Sequence, residues 1–182
     1  MNLADKFTSS RLVLAPIFFG LYFGAPALQI DPRFWIPILW VLFISMELSD
    51  LFDGLAARKT GTSSDFGKLF DPFADVLARL TYFLCFAFSG LMPLWVFLFV
   101  IYREYGILFI RLIAAKRGVA MGARPGGKFK AVVYMIAGSV SMLMLTLNAF
   151  GWFENLSAYI ATGSFVIYCI AGAVSIGSFV DY

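Results

Sequence analysis

The sequence has no histidine and only two cysteines in 182 residues. Without imidazole it cannot build a histidine-based catalytic triad, a histidine proton shuttle or the zinc sites that depend on histidine. Cys85 and Cys169 lie far apart within apolar runs, which leaves neither a disulfide framework nor a metal-binding cysteine pair. We expect both to face lipid or to fill packing space. Any acid–base chemistry must therefore come from carboxylates, lysine or tyrosine.

Charged residues are also scarce, at 14% of the chain, while 61% of the residues are hydrophobic. Soluble domains contain roughly 25% charged and 45–50% apolar residues, so this composition indicates a membrane protein. A membrane helix needs about 20 mostly apolar residues. Six segments reach that length, and they cover about residues 11–30, 33–53, 72–91, 92–114, 130–150 and 157–179. We expect one all-α integral membrane domain over residues 1–182, with six transmembrane helices and a short amphipathic segment at residues 1–10.

Lysine and arginine predict which side of the membrane each connection faces. The segments 1–11, 58–71 and 115–130 contain ten of them, whereas the turns on the opposite side contain Arg33 alone. Because positively charged loops stay in the cytoplasm, we expect these basic segments and both termini to be cytoplasmic. The tryptophans fall toward the opposite side, where aromatic residues anchor helices at the interface.

Four aspartates lie at or near the ends of the second and third predicted spans. An aspartate at the centre of an inserting helix costs roughly 2.5–3.5 kcal/mol, so these residues need compensation. Asp50 and Asp53 are three residues apart, and Asp71 and Asp75 are four apart, which puts each pair on one helix face. Converging carboxylates suit Mg²⁺ or Mn²⁺, and such a site beside a phosphate substrate indicates phosphoryl chemistry. The spacing leaves open a closed polar plug, in which the aspartates pair with nearby arginine and lysine.

The residues that follow the first aspartate pair favour a nucleotide site. Gly54 lets another backbone or a nucleotide come close, and Ala57 keeps the same face open one turn later. Arg58 offers a planar donor fork that suits a diphosphate.

Taken together, these residues resemble the signature of the CDP-alcohol phosphatidyltransferases. The match holds at all eight fixed positions over 26 residues, Asp50-x2-Asp53-Gly54-x2-Ala57-Arg58-x8-Gly67-x3-Asp71-x3-Asp75. The resemblance implies a six-helix membrane enzyme, usually homodimeric. Such an enzyme transfers a phosphatidyl group from CDP-diacylglycerol, or a phosphoalcohol from a CDP-alcohol, to an acceptor hydroxyl and releases CMP.

The same resemblance implies roles for individual residues. Two divalent cations, Mg²⁺ or Mn²⁺, would be held by the four aspartates, Asp50, Asp53, Asp71 and Asp75. Asp75 would also be the general base that deprotonates the acceptor. The CDP moiety would be bound by Asp50, Gly54, Ala57, Arg58 and Gly67.

Basic residues beyond the signature predict an anionic acceptor. Arg103 and Arg111 are eight residues apart in the fourth predicted span, so they share one side of the helix and should face a polar cavity rather than lipid. Lys128 and Lys130 precede the fifth span, and Glu104 is expected to pair with a lysine or arginine. Two other interpretations stay open: the arginines could balance Glu104 and the aspartates, and the lysines could be ordinary cytoplasmic flanking charge.

This second pattern resembles a bacterial subfamily, the phosphatidylglycerophosphate synthases, whose acceptor is sn-glycerol 3-phosphate. The run FTSSRLVLAPIFF resembles the start of the same enzymes and adds Arg11 to the candidate acceptor-phosphate residues, whereas Ala131 stands where they commonly have threonine. The resemblance implies the inner membrane of a bacterium, membrane lipid and an anionic polyol phosphate as partners, and no nucleic acid. Inositol phosphate, inositol or serine as acceptor stays open, as does a cation transporter, a different class of protein.

Overall fold

The computed structural model is helical throughout the residues it describes. It describes the backbone of residues 3–60, 65–118, 125–151 and 157–180, and the side chains of those ranges except at 3–8, 50–60, 65–69, 125, 128, 157–160 and 180. The helices are α1 (Leu3–Ala27), α2 (Pro32–Thr60), α3 (Asp65–Phe88), α4 (Leu94–Lys116), α5 (Pro125–Phe150) and α6 (Ser157–Val180). The predicted all-α fold is confirmed for this part of the chain.

The helix ends follow local chemistry. α2 and α5 each begin at a proline, Pro32 and Pro125, whose missing N–H does no harm in a first turn. α3 ends just before Gly90, whose φ of 73° lets the chain turn so that the Leu91 N–H donates to the Phe86 carbonyl at 2.9 Å. The connection between α3 and α4 is therefore short.

Several helices extend beyond the predicted spans, and the longest extensions are in α1, α2 and α3. Residues 3–10 were expected to form a segment separate from the first span, but α1 runs without a break from Leu3 to Ala27. α2 continues past residue 53 to Thr60, and α3 begins at Asp65 rather than near residue 72, so Pro72 lies inside the helix. The extensions of α2 and α3 place Gly54, Ala57, Arg58, Gly67 and Asp71 on helices, beyond the bounds that hydropathy predicted.

Four helices contain a stretch long and apolar enough to cross a membrane, within the part of the chain that the structure describes. The stretches are Ser9–Ala27, Pro32–Ser49, Phe129–Phe150 and Ala161–Phe179. α3 and α4 differ because charged residues are spread along them: Asp65, Lys68, Asp71, Asp75 and Arg79 in α3, and Arg103, Glu104, Arg111 and Lys116 in α4. The same two helices carry most of the charged side chains discussed below.

The chain forms two compact units, residues Met1–Cys85 (unit 1) and residues Phe86–Tyr182 (unit 2). In unit 1, α1 packs along α2. α3 meets α2 through Tyr82, whose buried ring lies edge-on to Phe43 with centroids 5.2 Å apart. Phe18 of α1 and Leu39 of α2 are fully buried in the same unit.

In unit 2, α6 packs against both α4 and α5. Two buried hydroxyl pairs join α5 to α6: the Tyr134 hydroxyl donates to Ser175 Oγ at 2.7 Å, and Ser141 shares a hydrogen bond with Tyr168 at 2.5 Å. Because buried hydroxyls must be satisfied, these pairs fix the register of α5 against α6.

Large apolar side chains lie on the surface of both units, as expected of helices surrounded by lipid rather than water. Examples are Val13, Ile17, Phe34, Val41, Phe109, Val132 and Ile170.

Candidate functional site

Helix ends position the signature residues of unit 1. Asp50 and Asp53 lie in the last third of α2, and Asp71 and Asp75 lie in the first half of α3. The predicted placement of both aspartate pairs on helices is therefore present in the backbone. Several predicted site residues have side chains or surroundings outside the described residues, namely Asp50, Asp53, Gly54, Ala57, Arg58, Gly67 and Lys128.

The described part of the carboxylate site consists of Asp71 and Asp75 on one face of α3. Both are half-buried. Asp75 Oδ2 accepts a hydrogen bond from Arg79 Nη1 at 2.8 Å, and 24% of the Asp75 side chain is exposed, against 4% for Arg79. Asp75 therefore keeps access to solvent or ligand while one of its oxygens is bound to arginine.

A divalent cation at this site would be bound by the carboxylate oxygens of the four signature aspartates. Among the described side chains, no three acidic or sulfur-bearing residues lie together in a group able to hold a metal. Two of the four predicted ligands, Asp50 and Asp53, fall outside that set of side chains. The other two supply partly exposed carboxylate oxygens, the donor type that Mg²⁺ and Mn²⁺ prefer.

Arg11 lies in the interior of unit 1. Its side chain is buried, and its Nε donates to Ser49 Oγ at 2.7 Å, while Ser49 Oγ donates to the Met46 carbonyl at 2.9 Å. Ser49 directly precedes Asp50, so this contact ties α1 to the turn of α2 that carries the first signature aspartate. The predicted role of Arg11 at an acceptor phosphate stays a prediction.

Unit 2 contains a buried cluster of three charges, Arg103, Glu104 and Lys130 (the α4–α5 charge cluster). Arg103 Nη1 donates to both Glu104 oxygens, at 3.3 and 3.2 Å, and Lys130 Nζ donates to Glu104 Oε1 from the neighbouring helix. Only 6%, 3% and 4% of these residues are exposed. Glu104 therefore pairs with both basic residues, as its sequence context predicted.

Lys130 is held on a second side by an aromatic ring. Its Nζ lies 4.9 Å from the centroid of the Tyr134 ring, a cation–π distance. Lys130 therefore contacts Glu104 of α4 and Tyr134 of its own helix, and the Tyr134 hydroxyl is bound to Ser175 of α6.

The three side chains of the cluster do not carry equal numbers of positive and negative charges. Two cations and one carboxylate leave the three side chains with a net charge of +1 in a buried place. The Arg103 Nε is buried and has no hydrogen-bond partner among the residues that the structure describes. A buried donor of this kind is costly unless something accepts from it, so the cluster is suited to an anion. Arg111 lies half-buried two turns further along α4.

Sequence reasoning missed Arg79 and Tyr82. The signal for Arg79 was available, because the four-residue spacing that pairs Asp71 with Asp75 also puts Arg79 on the same face. Tyr82 gave no comparable signal: its hydroxyl donates to Glu47 Oε1 at 2.8 Å, and that partner is 35 residues away in α2. Such a contact depends on how the helices pack.

Comparison with known proteins agrees with the signature. The sequence model of the CDP-alcohol phosphatidyltransferase family matches residues 1–171. A relative from Treponema pallidum, named CDP-diacylglycerol--glycerol-3-phosphate 3-phosphatidyltransferase, is 36% identical over 100% of this chain and 88% of its own length.

Two further relatives come from other bacteria. A Bacillus subtilis protein of the same name is 33% identical over 79% of this chain and 77% of its own length. A Mycobacterium tuberculosis protein, named probable phosphatidylglycerophosphate synthase, is 33% identical over 81% of this chain and 68% of its own length.

Proposed function

This chain belongs to the CDP-alcohol phosphatidyltransferase family, and we propose that it transfers the phosphatidyl group of CDP-diacylglycerol to sn-glycerol 3-phosphate. The products are phosphatidylglycerol phosphate and CMP. The observation that carries this proposal is the complete eight-residue signature inside the matched region, joined to relatives whose names state this donor and acceptor. Family membership makes the chain an enzyme, so the transporter interpretation is set aside.

In the proposed reaction, the acceptor hydroxyl attacks the β-phosphorus of CDP-diacylglycerol in line with the leaving group. A new phosphorus–oxygen bond forms, and the bond to CMP breaks with its electron pair going to CMP. Asp75 takes up the hydroxyl proton as general base. Support for this role comes from its partial exposure and from an oxygen, Oδ1, that the Arg79 contact does not use.

We assign the metal site to Asp50, Asp53, Asp71 and Asp75. Bound Mg²⁺ or Mn²⁺ would neutralise charge on the diphosphate as CMP leaves. Arg58, with Gly54, Ala57 and Gly67 beside it, would bind the CDP moiety. The donor chemistry of Asp71 and Asp75 supports the metal assignment, because both present carboxylate oxygens on one helix face.

We assign recognition of the acceptor phosphate to the α4–α5 charge cluster, together with Arg111, Lys128 and Arg11. The buried net charge of +1 and the Arg103 Nε support this assignment, because a phosphate would accept from that donor and balance that charge. A neutral inositol or zwitterionic serine would do so less well, whereas inositol phosphate shares the required chemistry.

We further propose that all six helices cross the inner membrane of a bacterium, that both termini and the site face the cytoplasm, and that the enzyme is a homodimer. α3 and α4 would span as helices whose charges face protein or substrate rather than lipid. Cysteine-accessibility labelling from each side of the membrane tests the orientation.

An acceptor panel on the purified protein tests the proposed function. CMP release from CDP-diacylglycerol is measured with Mg²⁺ or Mn²⁺ and one of glycerol 3-phosphate, inositol 1-phosphate, inositol or serine. We expect release with glycerol 3-phosphate only, and none after chelation of the metal. CMP release with inositol 1-phosphate alone would mean that the acceptor is inositol phosphate rather than glycerol 3-phosphate. No CMP release with any acceptor would contradict the whole proposal.

A further inference from the structure

Arg79 lies near the middle of α3 and outside the eight-residue signature. Its side chain is 4% exposed. An arginine buried along a membrane helix is expensive, and such residues are retained where they serve a function. One partner of Arg79, Asp75, indicates that function.

That partner is Asp75, one helical turn earlier. The hydrogen bond from Arg79 Nη1 reaches only Oδ2, at 2.8 Å. The last torsion of an aspartate side chain is broad and roughly two-fold, so an aspartate without a fixed donor samples many carboxylate orientations. A buried guanidinium bound to one oxygen selects one of them, and the other oxygen of this partly exposed side chain is not used by that contact.

Contacts between α3 and α2 hold this part of α3 in place. The Tyr82 hydroxyl donates to Glu47 Oε1 at 2.8 Å, and the buried Tyr82 ring packs on Phe43. The charges of Arg79 and Asp75 lie close enough to interact with the same hydroxyl. The part of α3 that carries Arg79 is therefore held against α2. The contact residue in α2, Glu47, lies one turn before Asp50, the first signature aspartate.

We propose that Arg79 is a positioning residue for Asp75: by holding Oδ2, it fixes the orientation in which the carboxylate serves the metal site and takes the acceptor proton. The inference rests on the proposed function of Asp75. Residues that hydrogen-bond to a metal ligand or base, and so orient it, change metal affinity or activity by about 10–100-fold when they are removed. Arg79 supplies both the orientation and the opposite charge.

The test compares Arg79→Gln and Arg79→Lys with wild type as purified full-length enzyme. Mn²⁺ affinity is measured by electron paramagnetic resonance titration, and kcat and KM are measured from CMP release. We expect Arg79→Gln to lower kcat and to weaken Mn²⁺ binding by about 10–100-fold each, with little change in KM for CDP-diacylglycerol. Arg79→Lys keeps the charge but lacks the planar fork, so it should recover part of both losses.

Arg33→Gln is the matched control, because Arg33 is exposed near the start of α2 and its loss changes the net charge by the same amount. It should keep wild-type kcat and Mn²⁺ affinity. If Arg79→Gln only melts at a lower temperature, with wild-type kcat and Mn²⁺ affinity while folded, Arg79 is structural and the proposal is wrong. If Arg79→Gln does not fold, Arg79→Lys decides: wild-type values in that variant overturn the proposal.

The metal titration keeps this inference separate from the proposed function. A wild-type protein that binds Mn²⁺ but releases no CMP contradicts the proposed reaction, and the affinity of the Arg79 variants still reports on positioning. A wild-type protein that binds no Mn²⁺ removes the metal role of Asp75 and overturns the inference itself.

Discussion

The two units of the chain carry opposite charge balances. Residues 1–85 contain eight acidic and seven basic residues, whereas residues 86–182 contain three acidic and seven basic residues, so their net charges are −1 and +4. The described clusters repeat the contrast. On α3, one arginine accompanies two aspartates, and in the α4–α5 charge cluster one glutamate lies between two cations.

The contrast extends to solvent access. Asp71 and Asp75 are half-buried, whereas Arg103, Glu104 and Lys130 are nearly inaccessible. A partly open acidic face can exchange ligands such as hydrated cations, while a closed basic cluster holds a fixed electrostatic field for an anion. In the proposed function, the chemistry is assigned to the aspartates of unit 1, and acceptor recognition is assigned mainly to the α4–α5 charge cluster of unit 2. Three pairs of variants can break or sharpen that division between the units.

The largest effect is expected from Asp75→Asn. The amide can still accept from Arg79 but cannot take a proton, so kcat for CMP release should fall by about 10²–10⁴-fold, the usual contribution of a general base. Binding of CDP-diacylglycerol should persist. It is measured by the rise in melting temperature that the lipid nucleotide causes. Asp31→Asn is the matched control, because Asp31 is exposed, its Oδ1 accepts the Arg33 backbone N–H at 2.9 Å, and asparagine caps a helix equally well. Substantial residual turnover in Asp75→Asn would remove its role as base.

A smaller and different effect is expected from Lys130→Gln. This change removes one of the two cations around Glu104 and brings the net charge of the α4–α5 charge cluster to zero. A hydrogen bond to a charged group contributes about 1.5–3 kcal/mol, so KM for glycerol 3-phosphate should rise by about 10–100-fold, while KM for CDP-diacylglycerol changes little. Steady-state kinetics with each substrate varied in turn measures both values.

Lys116→Gln is the control for Lys130→Gln, since Lys116 is exposed in the last turn of α4. It should leave both KM values unchanged. Equal increases in the two KM values for Lys130→Gln would mean that the cluster stabilises the fold rather than the acceptor, and the proposed division between the units would fail.

The fold was largely predictable because its main determinant is local. Apolar length and composition located the six helices that the structure describes, and the basic segments marked the connections between α2 and α3 and between α4 and α5. The errors came from ending helices where hydropathy ends: Leu55, Ala56, Ala57 and Arg58 are strong helix formers, so α2 continues after the membrane-like sequence stops. Hydropathy measures the solvent preference of a segment, whereas helix formation depends on its backbone and side-chain propensity.

The site was predictable only where its spacing lies within one helix. The position of Asp71 and Asp75 on one face follows from their separation of four residues. The pairing of Glu104 with Arg103 follows because few other charged residues lie in the apolar sequence around them. The Lys130 and Tyr82 contacts join residues 26 and 35 positions apart. Those contacts depend on helix rotation and packing, which a single sequence without aligned relatives does not determine.

The smallest effects are expected from removing the hydroxyl groups of two buried tyrosines, Tyr82 and Tyr134, and they concern the free energy of unfolding. Tyr82→Phe removes a hydrogen bond to a carboxylate, whereas Tyr134→Phe removes one to a neutral hydroxyl and keeps the ring beneath Lys130. Hydrogen bonds to charged groups contribute about 1.5–3 kcal/mol and neutral ones about 0.5–1.5 kcal/mol, so Tyr82→Phe should reduce the unfolding free energy more. Reversible unfolding in mixed detergent measures both values. If Tyr134→Phe is the more damaging change, the rigid hydroxyl contacts of unit 2 contribute more to stability than the contact that ties α3 to the carboxylate side of unit 1.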